Sequence, residues 1–289
     1  MQISRRSMLI GSVASATSLT GCSSTSAARP SSRPSASPST IPATRAATTH
    51  LVELRSREET VAKFDAMKPT YWGFDAPGVL TRFPTDGAGK DAVALTFDAC
   101  GGHVLRYNAE LIAALRKHEA KATLMIAMQW AQHNPTTFKE LLADPLFEIG
   151  NHGTRHVPLS VSGRSAYGEP GTRNVGEVWD ELAGNFEYQA TTWGHRPRFM
   201  RSGTAFTDDV ASRAADFAGQ QLISFGTDGD AGATFPAEIV YQQVKVAPAG
   251  SIVIGHMNRP ASGTAPGYDR AIPALKARGL TFVQLSEVL

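Results

Sequence analysis

Residues 147–156, Phe-Glu-Ile-Gly-Asn-His-Gly-Thr-Arg-His, are a short apolar run that leads into two histidines four positions apart. The run is typical of a buried strand, and the spacing of His152 and His156 lets both imidazoles reach one metal ion. Alone, such a pair is more often a strand-end residue and a surface residue, and a catalytic metal needs about three protein ligands. A zincin is excluded, because it requires glutamate directly after the first histidine and Gly153 stands there.

Short apolar runs alternate with helical patterns on both sides of this stretch. Near-continuous apolar strands that alternate with helices indicate a parallel sheet, buried on both faces and joined by right-handed crossovers. The pattern predicts an α/β fold, a distorted seven-stranded parallel (β/α) barrel, with a doubly wound open sheet as the alternative. The predicted strands are 92–98, 122–128, 147–151, 198–201, 221–226, 251–256 and 281–285, and the predicted helices are 108–119, 135–143, 175–188, 207–217, 236–246 and 268–278.

The first residues resemble an export signal rather than part of a folded domain. The stretch Ser4-Arg5-Arg6-Ser7-Met8-Leu9 resembles a twin-arginine signal, and the weakly apolar run after it is too short to span a bilayer. Leu19-Thr20-Gly21-Cys22 resembles the lipobox of bacterial lipoproteins, in which cleavage leaves the cysteine lipidated at the new N-terminus. We therefore expect residues 1–22 to be a signal peptide with a lipobox.

Residues 23–50 are rich in Ser, Pro and Ala and have too little apolar surface to fold, so they predict a disordered linker. Residues 51–289 are long enough for one domain. We expect this domain to be exported and anchored through lipidated Cys22 to the cell membrane or outer membrane, facing the periplasm or the cell exterior. A net charge of +2 is too small to favour nucleic acid, and we expect a monomer.

Polar residues follow the predicted strands at their C-terminal ends, where catalytic residues collect in parallel α/β proteins. Each has an ordinary explanation when taken singly, such as a turn residue, a surface charge or a satisfied core histidine. Five strands that end in this way predict that one rim of the sheet gathers imidazoles, carboxylates and a guanidinium. These residues are Asp98, His152, Arg201, Asp228, Asp230 and His256.

The set resembles polysaccharide deacetylases of the NodB-homology type, carbohydrate esterase family 4, over about residues 92–289. The motifs that match, in order, are Thr96-Phe97-Asp98, the histidine motif 151–156, Arg201, Asp228-Gly229-Asp230 and Ile254-Gly255-His256. The resemblance implies a hydrolase of carbon–nitrogen bonds that removes acetyl groups from an N-acetylated polysaccharide, such as peptidoglycan, a chitin-like glycan or an exopolysaccharide. It also implies a divalent metal, with zinc expected and cobalt or nickel as alternatives.

The resemblance implies a role for each residue. Asp98 is the expected base and His256 the expected acid, which supply the proton transfers that amide hydrolysis needs. The expected metal ligands are His152, His156 and Asp98. Arg201, paired with an aspartate, would hold Asp98 ionised, since a nearby cation favours the charged carboxylate.

Three further residues complete the expected site. Asp230 is counted with the catalytic residues, although the sequence leaves open whether it or Asp228 pairs with the arginine. A backbone amide near Gly203 or Thr204 would bind the oxyanion, and Ile254 would line a pocket for the acetyl methyl group.

The chain departs from the family pattern in several places. Asp98 is followed by Ala99 and Cys100, where the family has a second aspartate that binds the metal, and Ala231 replaces a tryptophan of the groove wall. Residues 202–204, Ser-Gly-Thr, replace prolines and an aromatic residue. Either two histidines hold the metal with Asp98 or water, which is the favoured reading, or Cys100 is a ligand, or the site is inactive. The alternative functions are therefore an O-acetyl esterase and a degenerate glycan-binding lipoprotein.

Overall fold

The computed structural model describes residues 52–289. The predicted signal peptide, the lipobox with Cys22 and the linker lie outside the described residues. Within residues 52–289, no helix combines the length and the apolar character needed to cross a bilayer. The strands are β1 (Trp72–Gly73), β2 (Ala92–Ala99), β3 (Ala122–Ile126), β4 (Phe147–Asn151), β5 (Ser165–Ala166), β6 (Glu169–Pro170), β7 (Phe199–Met200), β8 (Thr207–Asp208), β9 (Gln221–Leu222), β10 (Thr227–Asp228), β11 (Ile252–His256) and β12 (Thr281–Phe282), and the helices are α1 (Arg57–Phe64), α2 (Ala109–Lys117), α3 (Met128–His133), α4 (Pro135–Ala143), α5 (Val175–Trp193), α6 (Asp209–Ala218), α7 (Ala237–Val244) and α8 (Thr264–Ala277).

Seven strands form a continuous parallel path in the order β10-β11-β2-β3-β4-β7-β9. The predicted α/β class and the seven-stranded parallel architecture are therefore confirmed. The ends of this path are close in the chain, because β9 ends at Leu222 and β10 begins at Thr227. Five residue steps span at most about 17 Å, so the two edges must approach each other. The sheet curls into an incomplete barrel.

The segment 80–83 lies in the gap between the two edges and hydrogen-bonds to residues on both sides of it. The Leu80 amide donates to the Leu222 carbonyl at 3.0 Å, and the Leu80 carbonyl accepts from the Ser224 amide at 2.8 Å. On the other side, the Phe83 amide donates to the Gly250 carbonyl at 3.0 Å. Irregular backbone thus completes the barrel wall where a regular strand is missing.

Two predicted strands differ from the structure. The prediction of one strand over 221–226 is wrong, because this stretch runs from β9 at one edge towards β10 at the other. The chain leaves the sheet where the Ser224 carbonyl accepts a hydrogen bond from Arg201 at 2.9 Å instead of from a neighbouring strand. The predicted strand 281–285 is reduced to β12, which pairs with Ala92 and Val93 beside the main path.

The six predicted helices are all present, although their ends shift. The helix predicted over 175–188 extends to Trp193 and ends where Gly194 takes a left-handed φ of 68° that glycine adopts without strain. The helix predicted from 268 begins earlier, at Thr264. Helices α1 and α3 were not predicted, and α1 begins with a capping box between Ser56 and Glu59.

Strand β2 positions the site because its side chains alternate between two faces. The outward face packs against the helices in the largest hydrophobic cluster, where each large apolar side chain contributes about 1.5–3 kcal/mol on burial. The inward face begins with small residues and becomes polar towards the end of the strand, so polar groups meet inside the barrel mouth. The outward residues are Val93, Leu95, Phe97 and Ala99, and the inward residues are Ala92, Ala94, Thr96 and Asp98.

Candidate active site

The polar residues predicted from the strand ends meet at one rim of the barrel. Asp98 and His256 are direct register partners on neighbouring strands. His152 directly follows β4, and Arg201 directly follows β7. They surround a cavity of about 370 Å³, which is lined by Asp98, Cys100, His152, His156, Tyr167, Thr204, Ala205, Phe225, Asp228, Ala231, Gly232, Ile254 and His256.

Arg201 lies beneath the cavity, fully buried, and holds Asp98 in place. Its Nη1 donates to Asp98 Oδ1 at 2.6 Å, and its Nη2 donates to Thr96 Oγ1 at 2.8 Å. Burial alone would raise the pKa of Asp98, but the guanidinium and nearby histidines hold that pKa below its usual value. Arg201 is thus paired with Asp98 itself, and its hydrogen bonds do not include Asp228 or Asp230.

His152 has a defined orientation and tautomer. Its Nδ1 lies 2.9 Å from the Arg201 carbonyl, which can only accept, so Nδ1 carries the proton. The unprotonated Nε2 therefore faces the cavity, 3.7 Å from Cys100 Sγ and 3.4 Å from Asp98 Oδ2. A backbone carbonyl that fixes the outer nitrogen of a histidine is the usual second partner of a metal-binding imidazole.

His156 is held by backbone contacts that the sequence analysis did not anticipate. It has a φ of 64°, uncommon for a residue other than glycine. The buried carboxylate of Glu181 on α5 accepts hydrogen bonds from the amides of Arg155 and His156 at 3.0 and 2.8 Å. Burial raises the pKa of Glu181, although the amides of Arg155 and Val157 oppose that shift. The signal in the sequence is an acidic residue on the apolar face of a helix, beside Leu182.

Cys100 completes a cluster with the two histidines. The strand β2 continues through Ala99, so alternation returns Cys100 to the face of Asp98. The donor atoms of Cys100, His152 and His156 all lie within 4.8 Å of one another. Among residues 52–289, the buried His156 Nε2 has no hydrogen-bond partner. A nitrogen that binds a metal must be free of other partners in this way.

The donor set of this cluster suits a transition metal. Two imidazoles and a thiol match zinc and its neighbours better than magnesium or calcium, which prefer oxygen. Burial alone would raise the pKa of the Cys100 thiol, but the His156 imidazole and hydrogen bonds within the cluster hold it well below its usual value. A thiolate is the form that binds metal. The residues present therefore fit the divalent metal that the sequence predicts.

His256 lies opposite Asp98 and is held by Asp230. Its Nδ1 lies 2.7 Å from Asp230 Oδ1, and its amide donates to Asp230 Oδ2 at 2.7 Å. Thr264 Oγ1 also donates to Oδ2 at 2.7 Å. Burial alone would lower the pKa of His256, but the Asp230 carboxylate raises it well above its usual value. Asp228 instead accepts backbone amides in the turn after β10, and within residues 52–289 its side chain makes no hydrogen bond to a histidine or an arginine.

Thr204 and Ile254, predicted to contact substrate, both line the cavity. Thr204 lies in a tight turn with a φ of 67°. This turn packs on the backbone of His156 so closely that a Cβ at Gly203 would collide with it, so glycine is required there. The turn and His156 therefore depend on each other for position.

Residues 85–223 of the chain match the Polysaccharide deacetylase family profile. The chain is 29% identical over 201 residues to a peptidoglycan-N-acetylglucosamine deacetylase of Bacillus cereus, which covers 68% of this chain and 87% of the relative. A second B. cereus protein of the same name is 25% identical over 210 residues, or 68% of this chain and 67% of that protein.

Two solved structures resemble the chain. A CE4 family pseudoenzyme from Bacillus anthracis is 22% identical, with a TM-score of 0.61 over 74% of this chain and 69% of that one. The family 4 carbohydrate esterase PdaA of Bacillus subtilis is 19% identical, with a TM-score of 0.59 over 80% and 87%. At these identities the likeness concerns the fold alone, and it extends to an inactive protein.

Residues 85–223 therefore match a polysaccharide deacetylase domain, as the motifs predicted. The predicted enzyme class, a hydrolase acting on carbon–nitrogen bonds, is confirmed at the level of this family.

Proposed function

We propose that the protein removes acetyl groups from the N-acetylated sugars of a polysaccharide in a metal-dependent reaction. The observation that carries the proposal is the pairing of Asp98 with His256 across β2 and β11 at one cavity. Arg201 favours the ionised form of the first, and Asp230 favours the protonated form of the second. Two groups whose surroundings push their pKa values apart in this way form a general base and a general acid.

The proposed proton transfers follow from these contacts. Asp98 Oδ2, the oxygen that is not bonded to Arg201, takes a proton from water as the water oxygen attacks the acetyl carbonyl. His256 has its Nδ1 bonded to Asp230, so its Nε2 donates a proton to the leaving nitrogen as the carbon–nitrogen bond breaks. The products are acetate and a free amine on the sugar.

We assign the metal ligands to Cys100, His152 and His156. This revises the expectation of Asp98 as the third ligand, because Asp98 gives one oxygen to Arg201 and is needed as the base. When bound there, zinc, cobalt or nickel would polarise the acetyl carbonyl and lower the pKa of water.

Two residues of the cavity are proposed to position the acetyl group. The Thr204 amide would donate to the developing oxyanion, since it lies in the tight turn beside His156. Ile254 would contact the methyl group, because it is the apolar side chain of β11 that faces the cavity beside His256. The Tyr268 hydroxyl donates to the Ile254 carbonyl at 2.9 Å and holds this part of the strand.

The first substrate class to test is peptidoglycan, because both curated relatives are named peptidoglycan-N-acetylglucosamine deacetylases. The experiment measures acetate release by zinc-loaded protein from peptidoglycan, chitooligosaccharide and an O-acetylated xylan, with Asp98→Asn as the matched control. Release from the N-acetylated glycans that falls in Asp98→Asn supports the proposal. Release from the xylan alone would favour the O-acetyl esterase, and binding without any release would favour the degenerate glycan-binding lipoprotein.

We also propose that the protein works at the envelope as a lipid-anchored monomer, held by lipidated Cys22 and the linker of residues 23–50. Support comes from the sequence of the signal and lipobox. Detergent partitioning of wild type and Cys22→Ala tests it: a fully processed wild type in the soluble fraction would contradict the anchor.

A further inference from the structure

Five aromatic residues, Trp72, Phe74, Tyr167, Phe206 and Phe225, form what we term the aromatic wall. Phe74 stacks on Phe225 with ring centroids 5.1 Å apart and planes 9° apart. Tyr167 packs edge-on against Phe206, with ring centroids 5.5 Å apart. The rings of Trp72 and Phe74 also contact Phe206, at centroid distances of 5.7 and 6.2 Å. Tyr167 and Phe225 line the active-site cavity. The aromatic wall therefore runs from the reaction centre to the surface, and the proposed chemistry does not use it.

The aromatic wall exposes apolar surface that a core would bury. Tyr167 is 83% exposed and Phe74 is 39% exposed. Scattered apolar residues on a surface are ordinary, but a contiguous aromatic patch that continues into a cavity marks a binding surface. Tyrosine suits such a place, since it offers a rigid ring together with a hydroxyl group that stays in water.

Tyr167 occupies a backbone position that disfavours it. It lies at the tip of the β5–β6 hairpin with a φ of 51°, followed by Gly168 with a φ of 83°. Two positive φ values in a two-residue hairpin loop select Asn, Asp or Gly at the first position, and a bulky residue there is strained. The hairpin thus gives up local stability and presents an exposed ring beside the cavity.

The size and chemistry of the cavity indicate the occupant. A volume of about 370 Å³ lies at the low end for small-molecule sites, so it takes about one acetylated sugar and leaves the neighbouring sugars outside. A pyranose has apolar C–H faces that pack flat on aromatic rings. The aromatics that the family pattern places directly after Arg201 and at Ala231 are missing here. The aromatic wall is formed instead by β1 with its following residue Phe74, the β5–β6 hairpin, Phe206 and Phe225.

We propose that the aromatic wall binds the sugar adjacent to the one being deacetylated, with the ring of Tyr167 stacked on its pyranose face. This inference rests on the proposed function, because it places a glycan chain in the cavity. It makes Tyr167 a determinant of chain-length preference. The wall would thus favour a polymer over its monosaccharide.

The test compares Tyr167→Gly with Tyr167→Trp. Glycine removes the ring and relieves the positive φ, so the fold is expected to be at least as stable, which a thermal unfolding midpoint checks. Tryptophan keeps a stacking surface. Tyr71→Ala is the matched control, because Tyr71 is 41% exposed but belongs neither to the aromatic wall nor to the cavity lining.

Acetate release is measured with an N-acetylglucosamine tetrasaccharide and with the monosaccharide. For Tyr167→Gly we expect the KM for the tetrasaccharide to rise about three- to tenfold, and less for the monosaccharide. Tyr167→Trp and Tyr71→Ala are expected to match wild type with the tetrasaccharide. Equal KM values for wild type and Tyr167→Gly, or a loss that is the same for both substrate lengths, would overturn the inference.

Calorimetric titration of the Asp98→Asn protein separates this inference from the proposed function. If the wild type releases no acetate from any glycan, the proposed function fails. Tighter binding of the tetrasaccharide than of the monosaccharide, lost on adding Tyr167→Gly, would still support the aromatic wall. No difference between the two sugars, or no effect of Tyr167→Gly on it, would overturn the wall independently of turnover.

Discussion

The two halves of the proposed active site, which we term the acid–base half and the metal half, are built from different kinds of backbone. The acid–base half, Asp98 and His256, lies on adjacent strands in direct register. The metal half, Cys100, His152 and His156, follows strand ends in loops, and His156 needs an uncommon positive φ. Strand register fixes the first half, whereas the second depends on contacts from α5 and from a turn. Substitutions in the acid–base half should lower activity without loss of metal. Substitutions that remove the contacts supporting the metal half should weaken metal binding.

The largest expected effect comes from the acid–base half. Asp98→Asn and His256→Ala should each lower kcat for N-acetyl substrates by about a hundredfold to ten-thousandfold, because proton transfer is lost. Bound metal, measured by elemental analysis, should remain near the wild-type level. Because an alkoxide leaves more easily than an amine, His256→Ala should harm ester cleavage less than amide cleavage. Equal losses with matched N-acetyl and O-acetyl substrates would argue against His256 as the acid.

The boundary between the halves is tested by Ala99→Asp, which places a carboxylate where the family has its metal-binding aspartate. Ala99 faces the helices and is fully buried among apolar side chains. The new carboxylate would lack a partner there, so the free energy of unfolding should fall by roughly 2–5 kcal/mol. Cys100→Asp is the control, since it places the same group on the inner face. Denaturant unfolding measures the free energy of unfolding of both variants. Tighter metal binding by Ala99→Asp would contradict the placement of Ala99 on the outer face of β2.

The sequence predicts the acid–base half better than it predicts the metal half. Alternating strands and helices predicted the parallel fold, and residues at strand ends followed from it, so Asp98 and His256 were found from position alone. The pairing of Arg201 with Asp98 joins residues that are 103 positions apart in the chain. The role of Glu181 depends on its contact with His156, which lies 25 positions away. Periodicity describes neighbours along the chain, and it does not specify such contacts.

The metal half should weaken when Glu181 is changed. Glu181→Gln removes the carboxylate that accepts the amides around His156. We expect metal affinity to fall by about tenfold to a hundredfold, as for other residues that support a ligand. Glu177→Gln on the same helix is the control, because Glu177 bonds to Arg173 instead. Isothermal titration with zinc measures both, and equal affinities would show that the loop does not need Glu181.

The smallest expected effect is a shift in pH dependence. His256 must be protonated to act as the acid, and its raised pKa keeps it protonated well above pH 6.5. Asp230→Asn removes the main cause of that shift, so the pKa of His256 falls and the alkaline limb of the kcat profile moves to lower pH. Asp228→Asn should leave the limb in place, since Asp228 makes no hydrogen bond to His256. An unmoved limb in Asp230→Asn would remove His256 from this role.

We expect Cys100 to replace the missing carboxylate and to keep the metal half complete. The distance of 3.7 Å between Cys100 Sγ and His152 Nε2 supports this expectation. A sulfur and a nitrogen ligand at their usual bond lengths from a tetrahedral zinc ion lie about 3.6 Å apart. The most direct measurement is the absorption spectrum of the cobalt-loaded protein. The wild type and Asp98→Asn should show an intense sulfur-to-cobalt charge-transfer band that Cys100→Ser lacks. Cobalt bound with the same spectrum in wild type and Cys100→Ser would contradict the claim.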